Sequence, residues 1–81
     1  MLSIGFKNLE IERFGNESFQ DYLERCYFIG NNLRNKKYTY EELVDKSMLF
    51  YYIKVLKCGY SDDIMNEIKE MSKFAGVKLE K

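Results

Sequence analysis

Three acidic pairs are the residues whose types and spacing come nearest to catalytic chemistry: Glu10 with Glu12, Glu41 with Glu42, and Asp62 with Asp63. Paired carboxylates can serve in acid–base catalysis or bind a metal. The second and third pairs stand at the beginning of predicted helices, where acidic side chains cap and stabilise the helix. The first pair is explained as the solvent-facing side of a strand. None of the pairs therefore requires an active site.

The chain contains no histidine, so it has neither a Ser-His-Asp nor a Cys-His set. Its two cysteines, Cys26 and Cys58, cannot alone complete a four-ligand zinc site. Both fall in predicted helices beside apolar residues, and we expect buried free thiols there. No phosphate-binding glycine loop occurs. The sequence thus predicts a protein that is not an enzyme, with no catalytic residues, no cofactor and no metal.

The connection that contains Arg34, Lys36 and Lys37 is the one locally basic stretch. Together with Tyr38, these cations could contact phosphates and stack on a base. Basic loops between helices are more commonly only solvated. Thirteen basic residues balance 13 acidic ones, so the whole chain has no net attraction to nucleic acid. A nucleic-acid-binding regulator is therefore an alternative function.

Aromatic side chains indicate a binding surface more clearly than the charges do. Seven tyrosines and six phenylalanines bring the aromatic content to 16%. Tyrosine combines an apolar ring with a polar tip and is enriched at interfaces. We predict a partner-binding surface made of Tyr40, Leu49, Phe50, Tyr51, Tyr52 and Ile53. The tyrosines are also explained as residues at the edge of the core, or as a platform for a nucleotide in a protein that sequesters small ligands.

Apolar residues at spacings of three and four predict three helices, at about 18–33, 40–57 and 62–75. Thr39 and Glu42 match a capping box at the start of the second helix. Gly59 and Gly76 can take the left-handed conformation that ends a helix.

The N-terminal residues alternate between apolar and polar, which is typical of a strand. We predict a β-hairpin with strands 2–6 and 9–14, and a single strand with a bulge at Lys7 and Asn8 as the alternative. Together with the helices this gives an α+β fold, in one domain spanning 1–81.

Helix two should be the central element, because residues 48–53 are six apolar or aromatic residues in succession. Six consecutive residues point in every direction around a helix, so one neighbour cannot cover them. Either helices one and three with the hairpin cover them within one chain, or a second copy covers one side across a two-fold axis. We predict a homodimer on this basis.

Small size, the lack of catalytic residues and the apolar middle of helix two together predict a protein-binding regulator or inhibitor. Its expected partners are itself and another protein. The ten lysines against three arginines suggest an AT-rich coding sequence, as in a low-GC bacterium, one of its phages or a mobile element. No secretion signal or membrane-spanning stretch is visible, so we expect a cytoplasmic location without membrane binding.

Overall fold

The structure is a computed structural model that describes residues 11–79, and these residues form three α-helices. Helix α1 spans Phe19–Leu33, α2 spans Tyr40–Lys54 and α3 spans Asp62–Ala75. None of these helices is long and apolar enough to cross a membrane.

The predicted α+β fold is wrong, because the described residues contain helices and no strand. The first predicted hairpin strand, 2–6, lies outside the described residues, and so does the alternative bulge at Lys7 and Asn8. Residues 11–14 belong to the second predicted strand, 9–14, and they form no strand in the structure. The described part of the chain is an all-helical domain.

The backbone of this segment binds to side chains of α1 instead of a neighbouring strand. The Tyr22 hydroxyl donates to the carbonyl oxygen of Ile11 at 2.9 Å, and Arg25 Nη2 donates to that of Glu12 at 2.5 Å. Extended backbone must satisfy its polar groups, but side chains can do so as well as a second strand. The segment 11–14 therefore lies on α1 and forms no strand.

An ion pair buried in the domain holds the same segment in place. Arg25 and Glu17 form two hydrogen bonds, at 2.8 and 2.9 Å. The guanidinium carbon of Arg25 also lies 4.5 Å from the centre of the Phe14 ring, within the range of a cation–π interaction. The N-terminal segment is thereby fixed to the middle of α1.

Helix α1, and not α2, is the central element. It packs against both other helices, whereas α2 and α3 contact each other less extensively. Phe28 of α1 meets Phe50 of α2 with ring centroids 5.0 Å apart. On the other side, Asn31 Nδ2 donates to the carbonyl oxygen of Ala75 in α3 at 2.8 Å.

The apolar middle of α2 is largely covered within the single chain. Leu43, Phe50 and Ile53 are buried in the main core. The N-terminal segment covers a further side, since the rings of Phe14 and Tyr51 lie 4.6 Å apart between centroids. Of the two explanations for the apolar run, burial within one chain is the one that the structure supports.

Capping residues stand at both starts and ends of the helices. Ser18 accepts the Asp21 N–H at 3.1 Å at the start of α1. Thr39 and Glu42 form both hydrogen bonds of the capping box, which confirms that prediction. Gly76 ends α3 in the left-handed conformation, with φ of 78°, also as predicted.

Helix α2 ends at Lys54, three residues before the predicted end at 57. The Cys58 N–H donates to the carbonyl oxygen of Tyr52, six residues earlier, at 2.9 Å, and so closes the end of the helix. The left-handed residue in this turn is Lys57, with φ of 59°, and not Gly59. The prediction that Gly59 ends the helix in the left-handed conformation is therefore wrong.

Candidate protein-binding surface

The six side chains of the predicted partner-binding surface do not share one exposed patch. Phe50, Tyr51 and Ile53 are buried in the domain. The others are half-buried, and two of these pack against the core: Tyr40 and Leu49. Tyr52 lies near the end of α2, next to a different surface that the sequence analysis did not predict. The partner-binding role of the six residues remains a prediction.

That surface is formed by the turn between α2 and α3. Leu56 is 45% exposed and Cys58 is exposed as well, although both follow directly on a helix. Tyr52 and Tyr60 are half-buried, and Tyr52 and Cys58 lie close enough to Tyr60 to act on its hydroxyl electrostatically. We call Tyr52, Leu56, Cys58 and Tyr60 the corner surface.

Tyr60 supplies a hydroxyl group to the corner surface. Desolvation raises its pKa above the ordinary value of 10.0, and the neighbouring Cys58 and Tyr52 raise it further. A protonated phenol can donate one hydrogen bond and accept others. The corner surface therefore offers apolar contact area together with a donor, as is typical of protein interfaces.

A groove of about 270 Å³ adjoins the corner surface and shares Cys58 with it. Its apolar lining consists of Ile53, Met65 and Leu79. Lys57 and Lys69 also line it, and both are exposed. An apolar side chain of a partner would fit the groove, and acidic residues beside it would meet the two lysines.

Backbone hydrogen bonds give the turn a defined shape. The bond from the Cys58 N–H to the Tyr52 carbonyl oxygen closes α2, and the Ser61 side chain caps α3 by accepting the Ile64 N–H at 3.4 Å. A surface that is ordered before binding loses less conformational entropy in the complex. The exposure of Leu56 follows from the early end of α2, because residues beyond Lys54 no longer continue the helix that would place them against a neighbour.

The basic loop is placed at the opposite end of α2, where its cations are exposed: Arg34, Lys36 and Lys37. Tyr38 packs against the core, and burial raises the pKa of its hydroxyl, with Glu67 contributing. Lys37 lines a groove together with Glu67 and Glu70. Because these carboxylates repel phosphate, the four residues do not form a purely cationic site. Their role in nucleic-acid binding remains a prediction.

The two cysteines differ from the expectation of two buried thiols. Cys26 is buried, whereas Cys58 is exposed. Within residues 11–79, no group of three or more cysteine, aspartate or glutamate side chains is placed to hold a metal ion.

A comparison with protein families identifies the kind of domain that this chain forms. A family model described as the XRN-Two Binding Domain, XTBD, matches residues 10–81. The chain belongs to the XTBD family. Neither the curated proteins nor the solved structures contain a significant match to it.

XTBD is a protein-interaction domain, so the predicted protein-binding role is confirmed in its general form. The match extends over all three helices and over the segment that the Arg25–Glu17 pair fastens to α1. The corner surface of this XTBD domain thus lies within the matched residues.

Proposed function

We propose that this chain binds the exoribonuclease XRN2, the protein after which its family is called. The observation that carries the proposal is the match of the XTBD family over residues 10–81. The zero net charge fits a protein partner better than it fits nucleic acid.

The corner surface and its groove are the best-supported place for this contact. Leu56 and Cys58 are exposed on an ordered turn, and two tyrosines flank them. Tyrosines that become desolvated near the centre of an interface often dominate its binding energy. The groove with Lys57 and Lys69 is suited to a segment of XRN2 that carries an apolar side chain next to acidic ones.

A complex of one chain with one XRN2 molecule replaces the predicted homodimer in this proposal. The homodimer was inferred from uncovered apolar surface on α2, yet Leu43, Phe50 and Ile53 are buried within one chain. The predicted inhibitor role and phage origin gain no support from the family match. We propose a regulator that acts by occupying a surface of XRN2.

Titration calorimetry with purified XRN2 tests the proposal. The unaltered chain should bind with a stoichiometry of one, and the Leu56→Ala/Tyr60→Ala variant should bind at least about tenfold more weakly. Leu56 is exposed, but Tyr60 is half-buried and packs against the core, so thermal unfolding first establishes that the variant is folded. Phe19→Ala is the matched control, because Phe19 is a large exposed side chain on α1.

Two results would overturn parts of this account. Absence of binding by the unaltered chain would overturn the choice of XRN2 as partner. Equal loss of affinity in Phe19→Ala and in the double variant would overturn the corner surface as the contact.

A further inference from the structure

A second groove, on the other side of α3 from the corner groove, contains a buried acceptor without a partner. Asn32 is 0% exposed, and its Nδ2 atom donates to the carbonyl oxygens of Phe28 at 2.8 Å and Met71 at 3.1 Å. Its Oδ1 atom has no hydrogen-bond partner among the described residues. A flipped amide would place the oxygen against two carbonyl oxygens, so the assignment of the two atoms is fixed.

An unsatisfied buried acceptor in a native domain is satisfied by an ordered water or by a donor from a ligand. Because the two hydrogen bonds hold Nδ2 against the backbones of α1 and α3, Oδ1 is the free end of the amide. Asn32 lines the groove, whose volume of about 320 Å³ lies at the low end of the range for small-molecule sites. The groove therefore suits one long side chain better than a large ligand.

The charges along the groove favour a cation. Glu67 is paired with Lys46 at 2.8 Å, so its charge is largely balanced. Glu70 is exposed and has no ion pair within residues 11–79. Lys37 is the only cation among the lining residues, and it is exposed, so its long side chain can turn into the solvent.

An aromatic ring completes the set of contacts. Phe74 lines the groove and is 54% exposed. A large apolar side chain left this far in water on a helix face is available to a partner. Its neighbours in the groove include Met71 and Asn66, which add one apolar and one polar contact.

We propose that this groove receives an arginine side chain from a segment of a partner protein. A guanidinium has only donors, which matches the free Oδ1 of Asn32 and the free carboxylate of Glu70. Its flat face stacks on aromatic rings such as Phe74. The groove shares no residue with the corner surface, so the proposal does not depend on the binding of XRN2.

Nucleotides fit the groove less well than arginine does. A phosphate would face the carboxylate of Glu70, which has no ion pair within residues 11–79, beside the paired carboxylate of Glu67. It would also bring further acceptors, whereas the free Oδ1 of Asn32 needs a donor.

NMR titration of the whole chain with N-acetyl-arginine amide tests this assignment. We expect saturable shifts of the Asn32 side-chain amide and of the Phe74 and Glu70 signals, with a dissociation constant on the order of 1 mM for so small a probe. Glu70→Gln and Phe74→Ala should each weaken binding by at least about threefold. Both positions are exposed, so we expect the variants to fold.

Matched probes and a matched variant complete the design. N-acetyl-citrulline amide has the same shape without the charge and should bind much more weakly. Glu41→Gln removes an equal charge from an exposed position on α2 outside the groove, and binding should be unchanged. The proposal is overturned by an absence of shifts at these residues, by equal binding of the citrulline probe, or by tighter binding of adenosine monophosphate at the same residues.

Discussion

Arg25 and Glu17 form a two-point ion pair in the interior of the domain, with Nε–Oε2 and Nη2–Oε1 distances of 2.8 and 2.9 Å. The side chains are only 4% and 0% exposed. Glu17 also accepts the Phe14 N–H through Oε1 at 3.2 Å, and Arg25 binds the carbonyl oxygen of Glu12. The pair therefore connects the N-terminal segment to α1 through four hydrogen bonds.

Replacing Glu17 by glutamine should destabilise the domain by about 3–5 kcal/mol, because Arg25 is left as a buried charge without its counter-ion. The matched control is Glu67→Gln, which breaks the 2.8 Å pair with Lys46 at side chains that are 36% and 27% exposed. That control should cost less than about 1 kcal/mol. Urea unfolding measures both values, and equal losses in the two variants would contradict the structural role of the buried pair.

Replacing Lys57 by glycine should stabilise the domain by about 0.5–1 kcal/mol. A residue with a Cβ atom is strained at φ of 59°, and glycine is not. The comparison variant is Gly76→Ala, at φ of 78°, which should destabilise the domain by a similar or larger amount. Thermal unfolding of the two variants provides the measurement. A loss of stability in Lys57→Gly would show that the lysine side chain contributes more than its backbone strain costs.

Alkylation by iodoacetamide should distinguish the two thiols. Cys58 is exposed and should react quickly in the folded domain. Cys26 is buried, and burial raises the pKa of its thiol, so it should react only slowly until the domain is unfolded in urea. Mass spectrometry of the single variants Cys26→Ala and Cys58→Ala assigns the rates. Rapid modification of Cys26 in the native domain would contradict its place in the core.

The free energy of unfolding should decrease in alkaline solution. Burial raises the pKa of the Cys26 thiol above 9.0 and that of the Tyr22 hydroxyl above 10.0. The unfolded chain thus loses these protons at lower pH than the folded chain does. The stabilisation is complete below about pH 9 and is lost as the pH rises through the raised pKa values. Urea unfolding from pH 7 to 11 should show this decrease, with a smaller slope in Cys26→Ala. A flat profile would contradict it.

Sequence patterns predicted the helix starts well because the signals are local. A capping box depends on residues three positions apart, such as Thr39 and Glu42, and both of its hydrogen bonds are present. The end of α3 was also predicted from a local signal, because Gly76 can take the left-handed conformation without Cβ strain. The range 62–75 predicted for the third helix equals the observed one.

Long-range contacts explain the prediction that failed for the N-terminus. Nothing in the order of residues 11–14 indicates that their carbonyl oxygens accept hydrogen bonds from Tyr22 and Arg25 of α1. Charged residues such as Glu17, Arg25 and Lys54 are usually exposed, and here all three are buried. Helix α1 is central because it packs against both α2 and α3, and the sequence does not show this packing.

The candidate site was only partly accessible to sequence reasoning. Tyr52 was part of the predicted surface, but Leu56 was placed inside a helix that in fact ends before it. Leu56 and Cys58 are exposed on either side of Lys57, whose left-handed conformation no residue preference predicts. The spacing of residues in the sequence could not reveal the unpaired Oδ1 of Asn32 either. Its environment depends on how α1 packs against α3.

Alkylation of Cys58 in the presence of XRN2 is the most direct test of the central claim. In the Cys26→Ala variant, Cys58 is the only thiol of the chain and lies within the corner surface. Its reaction with iodoacetamide is followed by the mass of this chain, with and without saturating XRN2. Our account predicts strong protection of Cys58 in the complex, and protection that is relieved when Leu56 and Tyr60 are replaced by alanine. An unchanged alkylation rate in a complex shown to be saturated would contradict it.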